Sequence, residues 1–304
     1  MEGWDVPLAL GELLASGASG ALLADGGTGT ALLAQGLPAG TAPESWNLTH
    51  PAAVAAVAAA YAAAGSEIVY TNTFGANRLT LARHGLRDRV GEINAAAVRL
   101  ARQGLGPGGL LAGSMGPTGA LLEPLGDVTA QEAEEAFAEQ AAALVAAGVD
   151  ALVLETFTDL EEASAALRAA RGVTSGPVIV SMSFDAGGRT MMGVSPAQAA
   201  ARLLPEGADA LGANCGGAWE DVAGALRALA LAAPGTPLLL KPNAGQPVAS
   251  AGGVSYPGTP RAFARFVADL VAELPVRICG GCCGSGPEHI AALRAELAAR
   301  EARG

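Results

Sequence analysis

The sequence is poor in aromatic residues, in charged residues and in cysteine, and its composition excludes several classes of protein. Of 304 residues, 4% are aromatic, 15% are charged and four are cysteine. So few cysteines do not indicate a disulfide-stabilised secreted scaffold. The formal net charge of −11 argues against nucleic acid and against anionic membrane surfaces as partners. No stretch has the pattern of a signal peptide or of a membrane-spanning helix, so we expect a cytoplasmic protein.

The sequence is rich in a regular alternation of short apolar runs with alanine-rich helical patterns. Eight such β-then-α units predict a (β/α)8 TIM barrel that forms a single domain over 1–304, with a lead-in at 1–18 and the barrel at about 20–298. An open doubly wound sheet is the alternative, but the turn at 25–30 lacks its Gly-x-Gly-x-x-Gly phosphate loop. The predicted strands are 20–24, 67–71, 109–113, 150–154, 177–183, 208–213, 236–240 and 275–279, and loops 31–50 and 243–259 are the expected lids.

Two adjacent cysteines, Cys282 and Cys283, lie on a glycine-flanked turn between the last predicted strand and a helical pattern. Adjacent cysteines can be buried thiols, a strained disulfide or two metal ligands. The metal interpretation gains support from Cys215, which ends another predicted strand in the same way. Three thiolates around Zn²⁺ leave one tetrahedral position open, as in catalytic zinc sites. Such a site suits a substrate thiol, whose pKa the metal lowers, so the pattern indicates alkyl transfer to sulfur. Cys279, inside the strand, is expected to be a packed core thiol.

Polar residues at other strand ends indicate what else the site binds, because the active sites of such barrels lie at the carboxyl ends of the strands. Asp25 and Glu155 are an acidic pair that can hold an ammonium group. The backbone amides from Gly26 to Thr28 can bind a carboxylate, since a glycine turn exposes its N–H groups. Ammonium, carboxylate and thiol together describe a thiol amino acid.

Each of these residues also has a structural interpretation. Asp25 can cap a turn, and Glu155 can belong to an ion pair that offsets the cost of its burial. Asn72 and Asn214 end two further strands and count as substrate-binding candidates, but they can also satisfy turn backbone. Lys241 allows a Schiff-base aldolase, an alternative that leaves three cysteines unexplained. The three histidines, which are expected to be solvated and are not assigned to a metal, are His50, His84 and His289.

Several motifs together identify a family. They are Asp-Gly-Gly-Thr-Gly-Thr at 25–30, Thr-Asn-Thr-Phe-Gly-Ala-Asn at 71–77, Gly-Pro-Thr-Gly at 116–119, Glu-Thr-Phe-Thr-Asp at 155–159, Gly-Ala-Asn-Cys at 212–215, Pro-Asn-Ala-Gly at 242–245 and Gly-Gly-Cys-Cys-Gly at 280–284. With them, residues 20–298 resemble the zinc-dependent homocysteine S-methyltransferases. Within that family the chain is most similar to the homocysteine-binding module of cobalamin-dependent methionine synthase. The double cysteine with a distant Asn-Cys is the most specific of these signals.

The resemblance implies a (β/α)8 barrel that binds one Zn²⁺ and methylates homocysteine to methionine. The implied ligands are Cys215, Cys282 and Cys283. In the family, the asparagine of the Pro-Asn-Ala-Gly motif lies beside the zinc and fills its open position before substrate arrives, which implies that role for Asn243. The implied substrate contacts are Asp25 and Glu155 for the ammonium, and the amides of Gly26 and Thr28 for the carboxylate.

The resemblance leaves the methyl donor open. Methylcobalamin on a separate corrinoid partner protein is expected first, S-methylmethionine or S-adenosylmethionine second, and betaine third. The family module is normally fused to folate, cobalamin and reactivation domains, whereas this chain ends after the barrel. Betaine-using relatives build an aromatic cradle for a trimethylammonium group, and Gly75 and Thr156 stand where those relatives have tyrosines. A non-enzymatic zinc or redox-sensing barrel is the alternative from a different class.

Overall fold

Eight parallel strands form a closed barrel in the computed structural model, which describes residues 10–11, 14, 20–250 and 253–303. The first and second strands of the chain lie at the two ends of the hydrogen-bonded strand order. A parallel bridge between Ala24 and Ile68 closes the two ends of this order, and the Glu67 N–H donates to the Leu23 carbonyl at 2.7 Å. The predicted (β/α)8 barrel is therefore confirmed, and the doubly wound sheet was the wrong alternative.

Every predicted strand overlaps an observed one, although four of the observed strands run two or three residues past their predicted ends. The barrel strands are β1 Leu22–Leu23, β2 Ile68–Tyr70, β3 Leu110–Met115, β4 Ala151–Phe157, β5 Val178–Met182, β6 Ala210–Cys215, β7 Leu238–Pro242 and β10 Val276–Cys279. Their order around the barrel is β1-β10-β7-β6-β5-β4-β3-β2. The helices are α1 Thr28–Ala34, α2 Trp46–Thr49, α3 Pro51–Ala63, α4 Arg78–Ala82, α5 Val90–Leu105, α6 Ala130–Ala147, α7 Leu160–Arg171, α8 Pro196–Leu203, α9 Trp219–Ala232, α10 Pro260–Glu273 and α11 Pro287–Glu301.

The helix boundaries follow from local sequence signals. Thr129 and Glu132 form a reciprocal capping box at the start of α6, and Ser195 with Gln198 does the same for α8. Proline occupies the first helical position of α3, α8, α10 and α11, where its missing N–H has no intrahelical partner to lose. These signals start each helix shortly after a strand and so fix the βα repeat.

Alternate residues of the strands enter two different cores. One set of alternate strand residues, which includes Val69 and Leu152, packs outward against the helices. The other set, such as Ile68 and Val153, forms a separate apolar cluster inside the barrel, as the two-residue period of a strand requires. Leu10 and Leu14 belong to the interior cluster, while most of the predicted lead-in at 1–18 lies outside the described residues.

The two expected lids contain secondary structure that the sequence did not predict. Loop 31–50 includes a 3₁₀ turn at Pro43–Ser45 and the short α2 helix. Loop 243–259 carries an antiparallel hairpin made of β8 Val248–Ser250 and β9 Gly253–Ser255. Across the described part of the chain, no helix combines the length and apolar character that crossing a bilayer requires.

Candidate active site

Three thiols meet at the carboxyl ends of β6 and β10. The Cys215 Sγ lies 3.1 Å from the Cys282 Sγ and 3.8 Å from the Cys283 Sγ, and all three sulfur atoms lie within 4.8 Å of one another. These separations exceed a disulfide bond of about 2.05 Å. They are close to the separation of about 3.8 Å between two sulfurs on a tetrahedral zinc with Zn–S bonds of about 2.3 Å. The soft donor set and its spacing therefore fit one thiophilic metal ion.

The thiols open onto a cavity of about 680 Å³ at this end of the barrel. Its walls come from the connections that follow β1, β2, β3, β4, β6, β7 and β10. The structure brings together the three cysteines and four of the predicted substrate residues, namely Gly26, Thr28, Asn72 and Glu155. It does not place the other three predicted residues on the cavity wall, and these are Asp25, Asn214 and Asn243.

Asn243 connects the two segments that carry the cysteines. Its Oδ1 accepts the Cys283 N–H at 3.1 Å, and its Nδ2 donates to the Gly216 carbonyl at 3.2 Å. The Trp219 indole N–H donates to the Asn243 carbonyl at 2.9 Å. Both side-chain functions are thus used to hold backbone next to the thiols, and the expected role of Asn243 as a metal ligand stays a prediction.

Asn214 supports a strained backbone position beside the same cluster. Thr156 and Cys215 have φ angles of 66° and 56°, a left-handed conformation that side chains other than glycine adopt at a cost. Asn214 Oδ1 accepts the Thr156 N–H at 2.9 Å and the Ser181 hydroxyl at 2.7 Å. Its Nδ2 donates to the Thr156 Oγ1 at 2.6 Å and points toward the Cys282 Sγ at 3.9 Å. The structure therefore gives Asn214 a supporting position rather than a place in the cavity.

The glycine turn after β1 packs directly on the double-cysteine turn. The Gly27 N–H donates to the Ser285 carbonyl at 3.0 Å. A Cβ atom at Gly27 would meet the Cys282 carbonyl oxygen at 2.6 Å, so only glycine permits this approach. The N–H groups of Gly26 and Thr28 have no acceptor among the described residues, and both residues line the cavity. They remain available for a carboxylate, and the binding of a carboxylate there stays a prediction.

Asp25 is fully buried and forms an ion pair that the sequence did not reveal. Its Oδ1 accepts from the Lys241 Nζ at 2.5 Å, and its Oδ2 accepts the Tyr70 N–H at 2.7 Å. Burial raises the pKa of Asp25, while the Lys241 ammonium and the Tyr70 N–H act in the opposite direction. The Lys241 Nζ also lies 3.5 Å from the centroid of the Tyr70 ring, a cation–π contact. A Schiff-base lysine would have to give up both contacts.

Glu155 is the carboxylate that faces the cavity. Its Oε1 accepts the Ser114 hydroxyl at 2.5 Å, and this is its one hydrogen bond within the described residues. The pKa of Glu155 is raised to about 7, chiefly by burial and also by the charges of Cys282 and Asp25, while Lys241 and the Ser114 hydrogen bond act in the opposite direction. One carboxylate oxygen is therefore left without a partner beside the thiols.

Asn72 lines the cavity but is already bonded to the first long loop. Its Nδ2 donates to the Pro43 carbonyl and to the Asn47 Oδ1, each at 2.8 Å. Asn47 in turn donates to the Asn72 carbonyl at 2.9 Å. Asn72 thus fastens the loop that covers one side of the cavity, and a role in substrate binding stays a prediction.

The surroundings of two residues at the site were not predicted from the sequence. His289, expected to be solvated, is only 6% exposed: its Nδ1 accepts the Gly286 N–H at 3.2 Å, and its Nε2 lies 3.0 Å from the Gly258 carbonyl. It joins the double-cysteine turn to loop 243–259. Tyr70 is buried against the cavity, and its hydroxyl has no partner among the described residues. Neither the helix start that contains His289 nor the apolar strand that contains Tyr70 signals these arrangements, because both depend on contacts between distant segments.

Contacts among the three thiols shift their pKa values in opposite directions. The Cys283 thiol accepts hydrogen bonds from Cys215 and Cys282, which lowers its pKa to about 3, while the same contacts and burial raise the pKa of Cys215. Cys279, in contrast, is fully buried in the outer core, where desolvation raises its pKa to about 12. Although the contact with Cys215 lowers it, the pKa of Cys282 is raised to about 12 by its contact with Cys283 and by burial, so Cys283 is the one thiol of the cluster whose pKa is lowered.

Comparisons with known proteins agree with this geometry. The sequence model of the homocysteine S-methyltransferase family matches residues 22–297. Methionine synthases from Mycobacterium leprae and Mycobacterium tuberculosis are each 32% identical to the chain over 266 residues, which is 84% of this chain but only 22% of theirs. The metallated form of the homocysteine methyltransferase MmuM from Escherichia coli is 25% identical, with a TM-score of 0.76 over 90% of this chain and 96% of that one. The chain belongs to the homocysteine S-methyltransferase family, whose members transfer a methyl group to homocysteine.

Proposed function

We propose that this chain uses one zinc ion to activate homocysteine, and that its methyl donor is methylcobalamin carried by a separate corrinoid protein. The single observation that carries the proposal is the convergence of three thiols within 4.8 Å on the wall of a cavity. Cys215, Cys282 and Cys283 would hold the metal. When bound, zinc lowers the pKa of the acceptor thiol so that it is available as a thiolate at neutral pH.

The remaining residues bind and orient the acceptor. The unpartnered N–H groups of Gly26 and Thr28 receive the carboxylate, and the open oxygen of Glu155 receives the ammonium. The homocysteine sulfur then forms a bond to the donor methyl carbon, the bond between methyl and donor breaks, and its electron pair stays with the donor. The product is methionine. The chain supplies orientation and charge rather than a proton-transfer group, because the acceptor sulfur is already deprotonated.

The distribution of exposed apolar side chains favours a donor on a macromolecule. Eight large apolar side chains of the described residues are exposed, and six of them follow β2, β3, β5 or β7 at the cavity end of the barrel. A concentration of exposed apolar groups at one end of a molecule is typical of a protein-binding surface. They are Phe74, Leu121, Leu125, Met191, Val248 and Val254.

A betaine donor is disfavoured by the same cavity. A trimethylammonium group needs several aromatic faces. Tyr70 and Phe74 are the aromatic residues among the described cavity-lining set, and the Tyr70 ring already faces the Lys241 ammonium. Gly75 has no side chain to offer an aromatic face, and its N–H donates to the Glu44 carboxylate at 2.6 Å. The described residues of this cavity thus form no aromatic cradle of the kind that betaine requires.

The visible spectrum of methylcobalamin, mixed with zinc-loaded protein and homocysteine, tests the proposal. We expect loss of the cobalt–methyl absorbance that requires both zinc and homocysteine, with formation of an equal amount of methionine. Parallel reactions contain S-methylmethionine or S-adenosylmethionine, and the Cys282→Ala variant is the negative control. Methionine formed from a sulfonium donor, with none from methylcobalamin, would contradict the donor assignment. Methionine formed equally well by Cys282→Ala would contradict the metal site.

A further inference from the structure

Lys241 is the single lysine of the chain. The other 17 of its 18 basic residues are arginines. Lys241 is also only 2% exposed, which makes it the most deeply buried cation of the described residues. A lysine ammonium is compact, whereas an arginine guanidinium is planar and larger. The space between the Asp25 carboxylate and the Tyr70 ring, where the Nζ lies 2.5 Å from Oδ1 and 3.5 Å from the ring centroid, suits the compact group.

The Lys241 ammonium occupies the position beside Asp25 where the ammonium of a substrate would otherwise be expected to bind. Both oxygens of Asp25 are already engaged, one by Lys241 and the other by the Tyr70 N–H. Asp25 is 0% exposed and does not belong to the cavity wall, whereas Lys241 does. An ammonium that enters from the cavity therefore meets another ammonium before it reaches Asp25.

Glu155 has the opposite arrangement. It belongs to the cavity wall, and its one hydrogen bond, from Ser114, leaves the other carboxylate oxygen open. It lies near enough to Lys241 and to Cys282 for both charges to act on it. Of the two carboxylates at this end of the barrel, one is neutralised by the chain itself and the other is left for a ligand.

We propose that Lys241 is a positioning residue that takes the place of the substrate ammonium at Asp25, so that Glu155 alone receives the α-ammonium of the acceptor. This inference rests on the proposed function and names the group that selects an amino acid among thiols. Lys241 removes the charge of Asp25 from the ligand's surroundings and fixes the register of the Asp25 and Tyr70 segments around the thiols. An acceptor without an amino group loses only its contact with Glu155.

The test compares two thiols that differ only in the amino group, L-homocysteine and 4-mercaptobutanoate. We define the amino discrimination as the dissociation constant of 4-mercaptobutanoate divided by that of homocysteine, measured by calorimetry on zinc-loaded protein. For the wild-type chain we expect a ratio of about ten or more, as a charge-assisted hydrogen bond provides. Glu155→Gln should reduce the ratio to about one.

The matched variant removes the buried ion pair as a whole. Asp25→Asn with Lys241→Met leaves no unpaired buried charge, and such a replacement is tolerated far better than the loss of one partner. We expect this double variant to keep the amino discrimination within about threefold of wild type. A collapse of the ratio in the double variant, with retention in Glu155→Gln, would show that Asp25 holds the ammonium and would overturn the inference.

A second readout follows Lys241 directly. Because the chain has one lysine, protein labelled with ¹⁵N at the lysine ζ position has one side-chain ammonium signal. We expect that signal to persist, still coupled to Asp25, when homocysteine is bound. Its loss on homocysteine addition would mean that the substrate displaces Lys241, and would contradict the inference. If wild-type protein bound neither thiol, both the proposed function and this inference would fail. If it bound homocysteine, but the double variant lost the discrimination and Glu155→Gln kept it, only this inference would fail.

Discussion

Cys279 and Cys282 lie three residues apart on one segment, yet their surroundings are opposite. Cys279 is the last residue of β10 and is fully buried among the side chains that pack against the helices. Cys282 lies past the strand, 3.1 Å from a cysteine of another segment and on the wall of a cavity. The residue type is the same in both places. What separates a core thiol from a candidate ligand is therefore the turn between them.

Two glycines make that turn possible. A Cβ atom at Gly280 would meet the Asp25 carbonyl oxygen at 2.7 Å, and one at Gly281 would collide with the Ser285 side chain. The Gly281 N–H donates to the Asp25 carbonyl at 2.9 Å, and the Cys282 N–H donates to the Pro242 carbonyl at 2.8 Å. The turn is thus held against the ends of β1 and β7, which places Cys282 and Cys283 beside Cys215.

The largest expected effect separates the two cysteines directly. Cys282→Ala removes one of three thiolates, so we expect bound zinc to fall from one ion per chain to a level near zero after dialysis. Cys279→Ala leaves all three Sγ atoms in place and should keep one zinc, at a stability cost of about 1 kcal/mol from lost packing. Metal content and urea unfolding measure both. Zinc loss in Cys279→Ala, with retention in Cys282→Ala, would reverse the assignment.

A second prediction concerns the support on the β6 side of the cluster. Asn214→Ala leaves the buried Thr156 N–H and the Ser181 hydroxyl without their acceptor. We expect a loss of about 2 kcal/mol in the free energy of unfolding, because an unsatisfied buried donor costs its full desolvation. The measurement uses metal-free protein, so that zinc binding does not contribute. An unchanged urea midpoint would mean that Asn214 does not hold the strained Thr156 backbone.

A third prediction concerns the contact between the β1 turn and the double cysteine. Gly27→Ala forces a Cβ atom against the Cys282 carbonyl oxygen, 2.6 Å away, so the Cys282 segment must shift. We expect zinc affinity to fall about tenfold, as judged by competition with a chelator. Gly29→Ala is the control, because its Cβ meets nothing within 4 Å and should leave zinc affinity unchanged. Equal effects in the two variants would refute the steric argument.

The smallest expected effect is a pH dependence of the amino discrimination. Burial raises the pKa of Glu155 from its usual range to about 7, so the group is mostly protonated and neutral at pH 6 and mostly ionised at pH 8. The ratio defined above should therefore rise about fivefold between these pH values, because only the carboxylate attracts the ammonium. Because the ratio compares two thiols, the pH dependence that thiol ionisation gives to each dissociation constant cancels. Glu155→Gln should give a flat profile, and a wild-type ratio that falls with pH would contradict the role of Glu155.

The repetitive features of the fold were predictable from the sequence, because periodicity and caps are local. The observed β4 and β6 lie where the apolar runs before Glu155 and Cys215 predict them. The convergence of the three cysteines followed from the same register, since the carboxyl ends of parallel strands meet at one end of a barrel. Motif resemblance then predicted the family that the comparisons show.

The contacts between non-neighbouring segments were not predictable. Lys241 and Asp25 follow strands that are separated by β10 in the barrel, and no sequence spacing reveals that one side chain reaches the other. His289 was expected to be solvated because it opens a helix, but the hairpin loop covers it. Asn243 was expected beside the metal, and no motif indicated that its amide holds the Cys283 N–H. Each of these depends on which inward-facing groups meet across the barrel.

X-ray absorption at the zinc edge, with and without homocysteine, tests whether three cysteines hold zinc and the homocysteine sulfur becomes the fourth ligand. We expect zinc to have three sulfur ligands and one lighter ligand in the free protein, and four sulfur ligands at about 2.3 Å after homocysteine is added. The same spectra of the Glu155→Gln variant should show the fourth sulfur only at higher homocysteine concentration. A zinc shell that is unchanged by saturating homocysteine, or one with fewer than three sulfur ligands at the start, would contradict this ligand assignment.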